Sequence, residues 1–149
     1  NEADMIERMG EISRQSYKLG LPMFGMIYAR GEYLNIMDGD STLGNAHAAR
    51  LAFELGCDVA KTVWTGDAES FSQICQGVPI PLLVAGGPST GNSIEILRMV
   101  KTALDSGASG VCMGRQVFSH PEVEKIAKAI ILLVHQNYSV EDAISSCGL

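Results

Sequence analysis

Lys61 is the residue whose setting most directly suggests chemistry. It sits inside a short apolar run, residues 57–64, rich in β-branched side chains, with Gly56 before it and Gly66-Asp67 after it. Such a run reads as a strand covered on both faces, as in parallel sheets. Alternation puts Val59, Lys61 and Val63 on one face and Ala60, Thr62 and Trp64 on the other. With both faces covered, the amine would have no route to water. A desolvated ammonium is costly and tends to lose its proton. A neutral amine attacks carbonyls, so the implied chemistry is Schiff-base formation. A strand lysine can also reach solvent along its own stem, and by residue type alone that is the commoner case.

The elements that must position this lysine follow from periodicity and punctuation. Helices are expected over residues 4–19, 42–55 (with Ser41-Thr42 as cap), 69–75 (capped by Asp67), 94–104, 121–136 and 140–144. Strands are expected over 23–28, 57–64, 82–85 and 109–113. Strand, loop and helix thus recur about four times, the rhythm of βα units. Each helix carries the chain back, so the strands must run parallel. The fold class is α/β, with parallel strands alternating with helices. Met5, Met9 and Met99 fall at helical spacing and are expected in the core, and Trp64 is expected between strand and helices.

In parallel α/β folds, chemistry gathers at the carboxyl ends of strands. Those ends are Tyr28-Ala29-Arg30-Gly31, Thr65-Gly66-Asp67 after Lys61-Thr62, Gly86-Gly87-Pro88, and Gly114-Arg115. They supply a phenol, an amine and two glycine-rich turns able to take an anion. Glycines let backbone N–H groups approach a phosphate, a following helix start favours it, and Arg115 adds a charged fork. The plainer alternative is that these are ordinary strand-to-helix turns. Likewise Tyr28 can donate or accept a proton or simply plug a barrel mouth. Arg30 can bind substrate or brace its loop.

Taken in order, Tyr-x-Arg-Gly, Asp-x-x-Lys-Thr-x-x-Thr-Gly-Asp, Val-Ala-Gly-Gly-Pro and Gly-Ala-x-Gly-Val-x-x-Gly-Arg-x-x-Phe resemble the DhnA-type, or archaeal-type, class I aldolases. That family includes fructose-bisphosphate aldolases and 2-amino-3,7-dideoxy-D-threo-hept-6-ulosonate synthases. The resemblance runs through nearly the whole chain and implies a (β/α)8 TIM barrel. It implies Lys61 as the Schiff-base lysine, Tyr28 as proton donor, and Gly86, Gly87, Gly114 and Arg115 as phosphate binders. The implied substrate is a sugar phosphate, with fructose 1,6-bisphosphate the first expectation and the heptulosonate synthase reaction the alternative. Two features depart from the family. Ala29 stands where the usual motif has proline, and a full barrel takes roughly 250 residues, against 149 here. The chain therefore reads as the last four βα units, residues 1–149 forming a carboxyl-terminal half. The family's general-base aspartate, on the first strand, has no counterpart. A non-catalytic phosphate-binding half-barrel is the alternative from another class, and either form is expected to pair with a second copy or with a complementary amino-terminal half.

Composition narrows the rest. A net charge of −6 without a basic run is a poor match to nucleic acid or an anionic membrane. The longest apolar stretch, residues 127–134, is short and carries Lys128, so no membrane span is expected. The amino end, Asn1-Glu2-Ala3-Asp4, does not read as a secretory leader, and the four dispersed cysteines read as free thiols. A cytoplasmic protein is expected. His47, His120 and His135 are isolated, and no His, Asp or Glu group has ligand spacing, so no metal and no cofactor is expected.

Overall fold

The computed structural model describes residues 2–31, 42–87 and 90–149. Helix α1 (Glu2–Leu19) precedes strand β1 (Phe24–Met26). There follow α2 (Thr42–Glu54), β2 (Val59–Val63), α3 (Ala68–Gln76), β3 (Leu82–Ala85), α4 (Ser93–Asp105), β4 (Gly110–Cys112), α5 (Arg115–Phe118), α6 (Val123–Gln136) and α7 (Val140–Cys147). Ser41, expected to cap α2, and Pro88 of the Gly-Gly-Pro turn lie outside the described residues.

The four strands are parallel and lie in sequence order, β1-β2-β3-β4. That order never reverses, which is the winding of a barrel rather than of an open doubly wound sheet. Burial agrees. Ala60, Thr62, Leu82 and Val84 are at most 2% exposed, and all lie on the face that meets the helices. Three linked clusters cover that face. Ala49 and Ala52 of α2 and Ile74 of α3 pack on Ala60 and Leu82. Phe71 joins Val84 and Ala103, with the Trp64 ring 5.1 Å from the Phe71 ring. Ile96, Leu97 and Val100 of α4 meet Ile126, Ala129 and Leu133 of α6 and Ala143 of α7. Asp67, Asn92 and Ser139 cap α3, α4 and α7 through their side chains.

The opposite face is different. It carries Phe24 and Met26 of β1, which are 44% and 59% exposed, together with Val59, Lys61 and Val63, none of them fully buried. No described helix covers it. Among the described residues the strand around Lys61 is therefore covered on one face, not on two as its composition implied. An apolar run shows that a strand can be buried on both sides, and which sides are covered depends on how many units surround it.

Two smaller expectations change as well. The first strand is three residues long rather than six, because it is an edge strand paired only with β2, and its pairing stops at Met26–Lys61. Met5 is 63% exposed and is not core. Met9 is partly buried against Cys57 and Ala60, and Met99 against the α4–α6 cluster.

Candidate active site

Lys61 is the third of the five residues of β2, in register with Met26 on one side and Leu83 on the other. It is half-buried, and its stem rises from the uncovered face between these two neighbours. Of the strand ends flanking it, Tyr28 lies two residues beyond β1 and is also half-buried. The guanidinium carbon of Arg30, an exposed residue, lies 5.2 Å from the centre of the Tyr28 ring. That cation–π contact orders the phenol and the loop together.

The turn after β2 is used structurally. Asp67 accepts the Ser70 N–H at 2.8 Å, and the Ser70 hydroxyl donates to Thr65 Oγ1 at 2.9 Å. The hydrogen bond from the Ser70 N–H, the largest of the influences on it, holds the Asp67 carboxyl below the usual carboxylate range. Thr65-Gly66-Asp67 is thus the start of α3.

The two glycine turns end neighbouring strands, β3 and β4, at one edge of the sheet. Gly87 has φ +67°, a left-handed conformation natural to glycine. Gly86 has another reason. A β-carbon there would lie 3.0 Å from Gln116 Cγ and from Met113 Cε, and 3.1 Å from Met113 Cβ. The missing side chain lets the second turn approach the first. Gly114 precedes α5, with Arg115 exposed at its start.

The helix starts expected to assist an anion are weaker than expected. The Ile94 and Glu95 N–H groups of α4 already donate to Asn92 Oδ1, at 3.0 and 3.3 Å. Helix α5 has only four residues, too few for a useful dipole. Among the described residues, the glycine amides and Arg115 are the groups of this edge that the sequence reading assigned to an anion and that these helix-cap bonds do not occupy.

Gln116 was not apparent from spacing. It is 5% exposed. Its Nε2 donates to the Gly86 carbonyl at 2.9 Å, and its Oε1 accepts the Thr90 N–H at 3.1 Å. The only sequence signal was its place directly after Gly114-Arg115.

His120 is also 5% exposed. Its Nδ1 accepts the Glu122 N–H at 3.0 Å, so the ring proton sits on Nε2, which faces Ser93 Oγ at 3.0 Å. In that tautomer Nε2 donates to Ser93 and cannot take its proton, so the pair is a structural bridge rather than a nucleophilic dyad. His47 stands 3.8 Å from Glu2 on the exposed side of α2, and His135 is exposed on α6. Among the described residues, no group of three His, Cys, Asp or Glu side chains could hold a metal ion, and no described helix is long and apolar enough to cross a membrane.

A sequence profile of DeoC/LacD family aldolases matches residues 1–120. The chain belongs to that family. A 2-amino-3,7-dideoxy-D-threo-hept-6-ulosonate synthase from Halobacterium salinarum is 37% identical over 149 residues, covering 100% of this chain and 55% of that protein. The crystal structure of an archaeal fructose 1,6-bisphosphate aldolase superposes with a TM-score of 0.84 at 34% identity, over 91% of this chain and 53% of its own. A second archaeal fructose-1,6-bisphosphate aldolase structure has its catalytic lysine covalently bound to the carbinolamine intermediate of the substrate. It superposes with a TM-score of 0.83 at 34% identity, over 89% of this chain and 53% of its own. This DeoC/LacD chain therefore spans about half the length of the relatives it matches. Its four parallel βα units are those of a TIM-barrel aldolase.

Proposed function

We propose that residues 1–149 form the carboxyl-terminal half of a class I aldolase barrel, with Lys61 as its Schiff-base lysine. The observation that carries this is the position of Lys61. It lies in the middle of β2 on the uncovered face, between strands whose carboxyl ends bear Tyr28 and the paired glycine turns. The lysine-bound carbinolamine of a relative with a matching fold supports it.

The chemistry follows from the amine. Lys61 adds to a ketone carbonyl to give a carbinolamine, and loss of water leaves an iminium. The iminium accepts the electron pair of the bond between the carbons α and β to it. As that bond breaks, the β-hydroxyl loses its proton, an aldehyde departs and an enamine remains. Protonation of the enamine carbon and hydrolysis release the second product and restore the amine. Tyr28 is suited to passing a proton to or from the substrate hydroxyl, and Arg30 stacked on its ring helps to aim it. Gly86, Gly87, Gly114 and Arg115 would hold a phosphate of the substrate.

Fructose 1,6-bisphosphate, cleaved to glycerone phosphate and glyceraldehyde 3-phosphate, is the first substrate of this reading. The heptulosonate synthase reaction, a transaldol-type exchange on the same lysine, is the second, favoured by the Halobacterium relative. The uncovered face, with Phe24 and Met26 exposed upon it, is where a complementary amino-terminal half or a second copy would close the barrel.

Borohydride trapping with each sugar phosphate, read by peptide mass spectrometry with and without an added amino-terminal half, tests the proposal. The expected result is a reduced adduct on Lys61. Phosphate binding by the folded chain without any adduct, even with the added half, would instead favour a non-catalytic binding module.

A further inference from the structure

We propose that Gln116 is a positioning residue for the anion site, its buried amide tying Gly86 and Thr90 to the Gly114–Arg115 turn so that the glycine amides after β3 and β4 face one phosphate group. The inference rests on reading these turns as phosphate binders.

The geometry is that of a two-point brace. One side chain, 5% exposed, donates to the Gly86 carbonyl at 2.9 Å and accepts the Thr90 N–H at 3.1 Å. Gln116 stands directly after Arg115, so fixing its amide also fixes the backbone carrying the arginine. The β3 turn reaches this position because Gly86 lacks a β-carbon, which would otherwise press on Gln116 Cγ.

A brace matters here because other sources of order are few. The Ile94 and Glu95 amides of α4 are already taken by Asn92, and α5 is too short to help. Backbone amides bind an anion well only when they are held in place beforehand, since ordering a loop on binding costs affinity. A primary amide suits the task. It presents a donor and an acceptor on one rigid plane, matching the Gly86 carbonyl and the Thr90 N–H. A carboxylate or a lysine there could satisfy only one of them.

The test uses Gln116→Met, which keeps length and burial while removing the amide's hydrogen bonds to Gly86 and Thr90. Adduct formation on Lys61 is followed against concentration for fructose 1,6-bisphosphate and for unphosphorylated fructose. Separately, inorganic phosphate is titrated while the Gly87 and Gly114 amide resonances are observed. The variant is expected to raise the half-saturating bisphosphate concentration by about tenfold and to weaken inorganic phosphate similarly. The maximal trapping rate and the fructose curve should stay within about twofold of the parent. Equal loss for both sugars would mark a purely structural residue and overturn the proposal, as would no loss for either. If the parent chain binds phosphate at the two glycines but forms no adduct, a weakened Gln116→Met upholds the clamp while the aldolase reading falls. If the parent binds no phosphate, the clamp falls too. Should Gln116→Met fail to fold, exchange of the Thr90 amide in the parent chain serves instead. Phosphate must slow it several-fold if the clamp tightens on the anion, and unchanged exchange overturns the proposal.

Discussion

At the β4 end of the sheet, Ile96, Leu97 and Val100 of α4 and Ile126, Ala129 and Leu133 of α6 are all at most 2% exposed. At the β1 end, α1 has no buried residue, and Ile12 and Met5 stand 57% and 63% exposed beside a strand whose own Phe24 and Met26 are open. Both helices are amphipathic, and both follow the same rule of apolar spacing. The difference lies in their neighbours. Helix α4 is gripped by α6 and α7 on one side and by the strands on the other. Helix α1 flanks an edge strand with a partner on one side only. Amphipathic spacing specifies which face wants cover, and the surrounding units decide whether it gets any.

The largest effect expected from this asymmetry is in side-chain truncation. Leu97→Ala leaves a cavity among α4, α6 and α7 and should cost about 3–4 kcal/mol. Ile12→Ala removes a side chain that is already mostly in water and should cost less than about 0.5 kcal/mol. Chemical denaturation of both variants measures the contrast directly. Similar losses at the two positions would mean that α1 is packed in solution against something that covers Ile12.

Glycine replacement sharpens the comparison because the sign should change. In Gly86→Ala the new methyl meets Gln116 and Met113 at 3.0 Å. Overpacking of that kind should destabilise by about 1–3 kcal/mol. In Gly10→Ala, inside α1, the methyl meets nothing within 4 Å. There the helix propensity of alanine should stabilise by about 0.5–1 kcal/mol. Thermal unfolding of the two variants should move in opposite directions. A destabilised Gly10→Ala would reveal a surface pressed closely on α1.

How much of this was legible in the sequence follows the same division. Residues 82–85 were readable to the residue, because Pro79 and Pro81 on one side and Gly86-Gly87 on the other punctuate a run buried on the helix side. Helices α3 and α4 were located to within a residue or so, the first because its cap Asp67 is a local signal, the second by its apolar spacing; the Asn92 cap of α4 emerged only from the structure. The strand ends expected to carry Tyr28 and the glycine turns are where the structure has them, after β1, β3 and β4, and Lys61 lies on β2 as expected; their roles belong to the proposal. What could not be read was cover. Burial of Lys61 on both faces and of Met5 in the core each assumed neighbours that the described residues do not supply. Gln116 was missed for another reason. Its importance comes from atoms 26 and 30 residues away, Thr90 and Gly86, and no spacing pattern encodes such a pairing. The four-residue α5 was passed over because it is too short to show a period.

The smallest contrast is between two thiols, and it examines motion rather than packing alone. Burial raises the Cys57 thiol, helped by the neighbouring Asp58 carboxylate, and pushes Cys75 up to about 11. At pH 8 only about one Cys75 in a thousand is then a thiolate, so its partial exposure does not make it quick to label. Cys57 is buried in the cluster that Met9 of α1 helps to cover, so undocking α1 exposes it and opening governs its rate. With α1 as loosely held as its exposed face implies, Cys57 should be alkylated faster by about three- to tenfold, measured by peptide mass spectrometry over time. An equal or faster Cys75 would mean that α1 stays docked over Cys57 and that the β1 end is held more firmly than its exposure implies.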